Sequence, residues 1–139
     1  MIVLDTDVIS ELMKPAPEPL VVSWLRKRQP YDLFLTSITE AELWFGVELL
    51  PAGRRRTEIA VRVRATLETD FAGRILDFDR PAAKEFGRLH ASLKQCGRLP
   101  GVADSMIAAI ASARRFAVAT RNVRDFTHAG LKIVNPWVD

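Results

Sequence analysis

The sequence predicts an α/β fold of three layers, in which helices cover both faces of a central parallel sheet of five strands. Three observations support this prediction. Short apolar runs alternate with longer amphipathic segments along the chain. A chain of 139 residues suffices for one domain, residues 1–139, with its own apolar core. The content of 48% hydrophobic and 27% charged residues is typical of a globular protein.

The predicted strands are the short apolar runs at residues 2–4, 33–36, 75–78, 117–120 and 131–134. Amphipathic helices are predicted between them, at residues 8–13, 20–29, 39–50, 54–70, 81–95 and 103–115. Strands that alternate with helices in this way are typical of a parallel sheet that is covered on both faces.

Proline and glycine set the predicted helix boundaries. Pro15 closes the first helix, and Pro51 with Gly53 separates the third helix from the fourth, so these two are predicted to form a helical hairpin. Pro81 opens the fifth helix, as proline does at a first helical position. Residues 97–101 are predicted to form a loop before the last helix.

Composition and charge exclude several classes of protein. The single cysteine, Cys96, cannot form an internal disulfide, and His90 and His128 are too far apart in sequence to suggest a zinc site, so we interpret both histidines as incidental. No signal peptide or membrane span is evident, so we expect a soluble cytoplasmic protein. The net charge is +3, and arginine clusters such as residues 54–56 indicate either phosphate contacts or solvated helix faces.

Acidic residues follow the predicted strands or begin the helices after them. Asp5 comes directly after the first strand, and Asp125 follows the fourth. Glu42 and Asp104 are each predicted in the first turn of a helix. Because sites in parallel sheets form at the carboxyl ends of the strands, we expect these acids to meet at one edge.

Each of these acids also has a structural explanation. Asp5 can cap the helix that follows it, and Glu42 can close a capping box with Thr39. Asp104 is favoured by the helix macrodipole, and Asp125 can be a turn residue. None of these roles explains a shared edge, where carboxylates about 4 Å apart repel by about 4 kcal/mol per pair at an effective dielectric constant of about 20. A divalent cation removes the conflict, and oxygen ligands suit Mg²⁺ or Mn²⁺.

At these acids the sequence resembles the PIN-domain ribonucleases, and within them the VapC and FitB toxins of bacterial toxin-antitoxin pairs. The matching segments are LDTDVISE at 4–11, SITEAEL at 37–43, ADSMIA at 103–108, ATRNVRDF at 119–126 and NPW at 135–137. The resemblance implies a PIN-like fold in which Asp5, Glu42 and Asp104 form an acidic site for Mg²⁺ or Mn²⁺.

The resemblance leaves the fourth member of this site open. Some relatives carry an aspartate where this chain has Asn122, and Asp125 is the acid available three residues later. Thr6 and Thr120 match positions whose hydroxyls help orient ligands or the attacking water. Asp7 departs from the asparagine more usual at its position.

The resemblance further implies a metal-dependent endoribonuclease that cleaves structured or single-stranded RNA, with tRNA or rRNA as the expected target. A cognate antitoxin and a homodimer are implied as well. A homodimer is also predicted from an apolar stripe, whose residues would alternatively fill the core: Leu20, Val21, Trp24, Leu25, Trp44 and Phe45.

Two alternatives come from other functional classes. The segment from Leu4 to Val8 is similar to the first motif of the haloacid-dehalogenase-type phosphatases, which use Mg²⁺ and a nucleophilic aspartate. The lysine and the paired acidic motif of that family have no convincing match here. The second alternative is a non-catalytic nucleic-acid-binding module that uses the arginine clusters without turnover.

Overall fold

The fold is built on a five-stranded sheet, seen in a computed structural model that describes residues 1–98 and 101–139. The strands are β1 (Ile2–Leu4), β2 (Leu33–Thr36), β3 (Ile75–Leu76), β4 (Ala117–Ala119) and β5 (Ile133–Val134). They lie in the order β3-β2-β1-β4-β5, and every neighbouring pair is parallel. This arrangement confirms the predicted central sheet.

Helices connect the strands in the predicted alternation. They are α1 (Thr6–Leu12), α2 (Pro19–Arg26), α3 (Ser37–Leu49), α4 (Arg54–Ala65), α5 (Arg80–Gln95), α6 (Val102–Arg114) and α7 (Val123–Phe126). A π-helical turn, Thr66–Asp70, continues α4, so the predicted helical hairpin is present. The single-turn helix α7 was not predicted, because four residues are too few to show a helical period. Part of the predicted loop at 97–101 lies outside the described residues.

The sheet separates two apolar cores. Successive side chains of a strand point to opposite faces, so Leu4 packs with the α1–α4 side and Val3 with the α5–α7 side. Val8 and Val63 belong to the first core, and Ile107 belongs to the second. Burial of one such side chain stabilises the fold by about 1.5–3 kcal/mol. Both faces of the sheet are therefore covered, which confirms the three layers.

The N-terminus of α3 corrects one prediction. The Thr36 hydroxyl at the end of β2 accepts a hydrogen bond from the backbone N–H of Thr39 at 3.1 Å, so Thr36 is the N-cap. The predicted capping box between Thr39 and Glu42 is therefore wrong. The N-cap lies three residues earlier than the local pattern indicates, because β2 runs directly into the helix. Glu42 lies in the second turn and is free for other contacts.

The apolar stripe that predicted a homodimer divides between core and surface. Val21 and Trp24 are buried among the residues of the first core, as the alternative explanation requires. Leu20 is 54% exposed and Phe45 is 65% exposed. In the part of the chain that the structure describes, no helix combines the length and apolar character needed to cross a bilayer.

Candidate active site

Polar side chains from three neighbouring strands meet at one edge of the sheet. Asp5 follows β1, Thr36 ends β2 and Thr120 follows β4, and β1 lies between the other two strands. Asp104, in the first turn of α6, is close enough for its charge to raise the pKa of Asp5. The predicted convergence at the carboxyl ends of the strands is present in the fold.

Asp5 is held by two hydrogen bonds in a buried position. The hydroxyl of Thr120 donates to Oδ2 at 2.8 Å, and the backbone N–H of Thr6 donates to Oδ1 at 2.8 Å. Asp5 is 4% exposed, and burial together with the negative charge of Asp7 raises its pKa to about 7. Asp5 is thus both the N-cap of α1 and part of the acidic edge.

Glu42 reaches the same edge through a pair of threonines. The hydroxyl of Thr6 donates to Oε1 of Glu42 at 2.7 Å and lies 2.9 Å from the hydroxyl of Thr39. One hydroxyl hydrogen serves each bond, so Thr39 donates to Thr6 while Thr6 donates to the carboxylate. The threonines therefore fix the Glu42 carboxylate beside the start of α1.

Asp104 lies among other acids. Burial is the largest cause that raises its pKa to about 6, followed by the negative charges of Asp125, Glu42 and Asp7. The side-chain amide of Asn122 donates a hydrogen bond to Oδ2 of Asp125. Of the two alternatives for the fourth position, the structure places the carboxylate of Asp125 against Asp104, with Asn122 as its hydrogen-bond donor.

Asp7 is a member of this edge that the sequence analysis did not assign. Its Oδ2 accepts from the backbone N–H of Arg121 at 3.0 Å and lies 3.4 Å from the Thr120 hydroxyl, whose hydrogen is directed to the closer Asp5. Within residues 1–98 and 101–139, its Oδ1 is buried and has no hydrogen-bond partner, and burial raises the pKa of the Asp7 carboxyl. The available signal in the sequence was the position of Asp7, two residues after Asp5 in the first turn of α1.

Replacement of Thr120 by valine is expected to lower the free energy of unfolding by about 1–3 kcal/mol, because one buried and one partly buried polar group lose their partner. One is Oδ2 of Asp5, and the other is the backbone N–H of Asn122, which donates to the hydroxyl at 2.9 Å. Urea unfolding at pH 8 measures the change. Thr120→Ser is the matched control, since it keeps the hydroxyl, and equal losses in both variants would contradict the expected role.

The donor set at this edge suits a hard divalent cation. Every candidate ligand is a carboxylate or hydroxyl oxygen. Among the described residues, Oδ1 of Asp7 accepts no hydrogen bond, so its lone pairs are available to a cation. Within residues 1–98 and 101–139, no three His, Cys, Asp or Glu side chains stand close enough together to hold one ion in their present rotamers. An ion at this edge would take part of its coordination from water, as Mg²⁺ usually does in proteins.

His90 contacts an aromatic ring and a hydroxyl group. His90 stacks on Phe86 with ring centroids 4.9 Å apart, and its Nδ1 is 3.0 Å from the hydroxyl of Ser105. These contacts join α5 to α6 and give His90 a packing role. The side chain of His128 lies outside the described part of the structure.

Comparisons with known proteins agree with this geometry. The family model described as PIN domain matches residues 2–131. The VapC ribonuclease Y4jK of Sinorhizobium fredii is 46% identical over 99% of this chain and 98% of its own length. The toxin FitB of Neisseria gonorrhoeae is 40% identical over 100% of both chains. The crystal structure of FitAcB from Neisseria gonorrhoeae has a TM-score of 0.92 to this chain, with 40% identity and 99% of both chains covered.

A parallel α/β sheet with acids at the carboxyl ends of its central strands, together with these relatives, defines a hydrolytic nuclease. The chain belongs to the PIN domain family, and VapC and FitB toxins are relatives over its whole length. This membership confirms the predicted fold and the predicted class of hydrolytic ribonuclease. It also excludes the alternative of a haloacid-dehalogenase-type phosphatase.

Proposed function

We propose that the chain is a divalent-metal-dependent endoribonuclease and the toxin of a toxin-antitoxin pair, with residues 1–139 as one functional domain. The observation that carries this proposal is the convergence of carboxylates at the acidic edge, where burial and neighbouring negative charges raise the pKa values of Asp5 and Asp104 to about 7 and about 6. Such a concentration of negative charge is unfavourable without a cation. The relative named as a ribonuclease supports RNA as the substrate, and tRNA or rRNA is the proposed target.

In this proposal the carboxylates of Asp5, Glu42, Asp104 and Asp125 are the ligands of Mg²⁺ or Mn²⁺. A bound cation of this kind polarises a phosphodiester and lowers the pKa of a water molecule that attacks phosphorus in line. The hydroxyls of Thr6 and Thr120 hold the carboxylates of Glu42 and Asp5 in place through the bonds described above. Asn122 orients Asp125 in the same way.

The proposed partner is a cognate antitoxin protein that inhibits cleavage, and the proposed location is the cytoplasm. Full-length similarity to a protein named as a toxin supports this partner. The charge of the chain agrees with an RNA substrate, since 20 Lys and Arg residues exceed 17 Asp and Glu residues.

Removal of divalent cations tests the proposal directly. The purified protein is incubated with a mixture of tRNA and rRNA in EDTA, in Mg²⁺ and in Mn²⁺, and the products are separated on a denaturing gel. We expect discrete fragments with either cation and intact RNA in EDTA. Binding of RNA without fragments in any of the three conditions would instead favour the non-catalytic binding module.

We also propose a homodimer, in which the helical hairpin of α3 and α4 meets its counterpart. Phe45 is 65% exposed, Leu49 is 69% exposed and Val61 is 61% exposed, and all three lie on this hairpin. Contiguous exposed apolar surface is typical of an interaction site. Light scattering at tens of micromolar is expected to give twice the monomer mass for the wild type and the monomer mass for Phe45→Glu with Leu49→Glu. Val138→Glu, at a 75% exposed apolar position outside the hairpin, is the control and should stay dimeric.

A further inference from the structure

A second concave site lies at the opposite edge of the sheet from the acids. It is a pocket of about 670 Å³. Its walls include Ile2 and Ala117, the first residues of β1 and β4, and Lys132, which directly precedes β5. In a parallel sheet the starts of the strands lie at one edge and their ends at the other, so this pocket and the acidic edge are separated by the length of the strands.

Three cationic side chains from different parts of the chain line this basal pocket. They are Arg28, after the end of α2, Arg115, after the end of α6, and Lys132. No acidic residue is among the described residues of the lining, and none of the three cations is in a salt bridge within that part of the chain. Like charges gathered in one concavity repel each other, and a bound anion relieves the repulsion.

The surroundings of the cations restrict the kind of anion. The guanidinium of Arg28 lies 4.3 Å from the ring centroid of Trp24, which fixes its position on one side. Phe116 and Leu131 add apolar surface to the lining. The hydroxyl of Ser112 also lines the pocket, but it donates to Oε2 of Glu85 at 3.0 Å. The pocket therefore combines cations with apolar and aromatic wall, and its volume lies in the range of small-molecule sites.

The backbone of Arg115 is consistent with a role for its side chain. Arg115 ends α6 in the left-handed conformation, with φ of 59°, and it is the one described residue other than glycine with positive φ. Glycine is the residue that most often occupies this position after a helix, because a side chain is disfavoured there. The pocket is thus lined by an arginine at a position where glycine is usual.

We propose that the basal pocket binds the phosphoryl group of a nucleotide, with its sugar or base against the apolar wall. Guanidinium groups match the geometry of phosphate oxygens, and Lys132 adds a point charge. The nucleotide is either free or a unit of an RNA chain, since both present the same phosphoryl chemistry. This site uses none of the residues of the acidic edge, so it goes beyond the proposed cleavage function.

The binding test uses the whole chain in EDTA, so that cleavage does not interfere. Adenosine monophosphate, adenosine and a 12-nucleotide single-stranded RNA are the probes, and calorimetry and fluorescence anisotropy measure their affinities. Arg115→Asn with Lys132→Gln is the variant, because asparagine tolerates the left-handed backbone. Lys94→Gln removes one exposed charge from α5, outside the pocket, and is the matched control.

We expect the double variant to bind its probe at least tenfold more weakly than the wild type, and Lys94→Gln to change binding less than twofold. Adenosine, which lacks the phosphoryl group, should not bind measurably. An effect on the monophosphate identifies a free nucleotide as the ligand, whereas an effect on the RNA alone identifies an RNA phosphate. In the second case the slope of the logarithm of affinity against the logarithm of salt should fall by about 1.4, from about 0.7 for each lost contact.

Equal affinities of wild type and double variant for both phosphorylated probes would overturn the proposal, as would an equal loss in Lys94→Gln. Thermal unfolding verifies that the double variant is folded, and Lys132→Arg, which keeps the charge, should retain binding. Cleavage of RNA in Mg²⁺ is measured in parallel. A protein that binds nucleotide in the basal pocket but does not cleave RNA would contradict the proposed function alone, and the reverse result would contradict this inference alone.

Discussion

Replacement of Asp104 by asparagine is expected to reduce metal-dependent cleavage of RNA by at least about 100-fold while the metal-free protein stays as stable as the wild type or becomes more stable. The loss of activity follows because even residues that only orient metal ligands contribute about 10–100-fold. The gain in stability follows because burial and, after it, the negative charges of Asp125, Glu42 and Asp7 make the charged form of Asp104 unfavourable and raise its pKa to about 6. Asparagine carries no charge to repel them.

The alternative role of Asp104, as an acid in the first turn of α6, predicts the opposite outcome. In that case Asp104→Asn would lose up to about 1 kcal/mol of stability through the macrodipole and would keep its activity. Thermal unfolding in EDTA measures the change in stability, and cleavage of RNA in Mg²⁺ or Mn²⁺ measures the change in activity. Glu40→Gln is the matched control, because Glu40 is the acid in the first turn of α3 and should show the macrodipole effect alone. A destabilised Asp104→Asn protein with wild-type cleavage would exclude the metal site.

The metal-free protein is expected to be several kcal/mol less stable at pH 8 than at pH 5. The pKa of Asp5 is raised from 3.8 to about 7, so between these values the folded chain binds a proton that the unfolded chain has lost. Stability therefore falls as the pH rises through this window, and Asp5 accounts for at most about 3 kcal/mol of the fall between pH 5 and its pKa, at about 1.36 kcal/mol per pH unit. Asp104 acts in the same direction, with a pKa raised to about 6.

Other carboxyl groups do not reverse this trend. The pKa values of Glu11 and Glu85 are lowered by hydrogen bonds from Lys14 and Arg88, so their contributions to stability are lost only as the pH falls below about 4.5. Urea unfolding at pH 5 and pH 8, in EDTA and in Mg²⁺, measures the difference. Magnesium should reduce the loss at pH 8, and Asp5→Asn should flatten the dependence in EDTA. A metal-free wild type that is more stable at pH 8 would contradict the assigned causes.

The sequence allowed the sheet and much of the acidic edge to be predicted, because both depend on where strands end. Asp5 and Asp104 could be identified from their positions after a strand and at the start of an uncharged apolar helix. The sequence could not show which threonine is the N-cap of α3, because Thr36 and Thr39 both carry a hydroxyl that can cap a helix. Only the length of β2 decides between them, so the capping box at Glu42 was predicted wrongly. Asp7 was missed because its partners, Thr120 and Arg121, are more than a hundred residues away along the chain.

The central position of β1 in the sheet affects how the chain folds during its synthesis. Ile2 pairs with Ala117, and Asp5 bonds to Thr120 across a sequence separation of 115 residues. Contacts of such long range form slowly, because the loop must close before any pairing stabilises it. During synthesis β1 is made more than a hundred residues before its neighbour β4 and cannot pair with it until then. A nascent or truncated chain without β4 consequently has three of the four proposed acidic ligands, Asp5, Glu42 and Asp104, but no assembled edge.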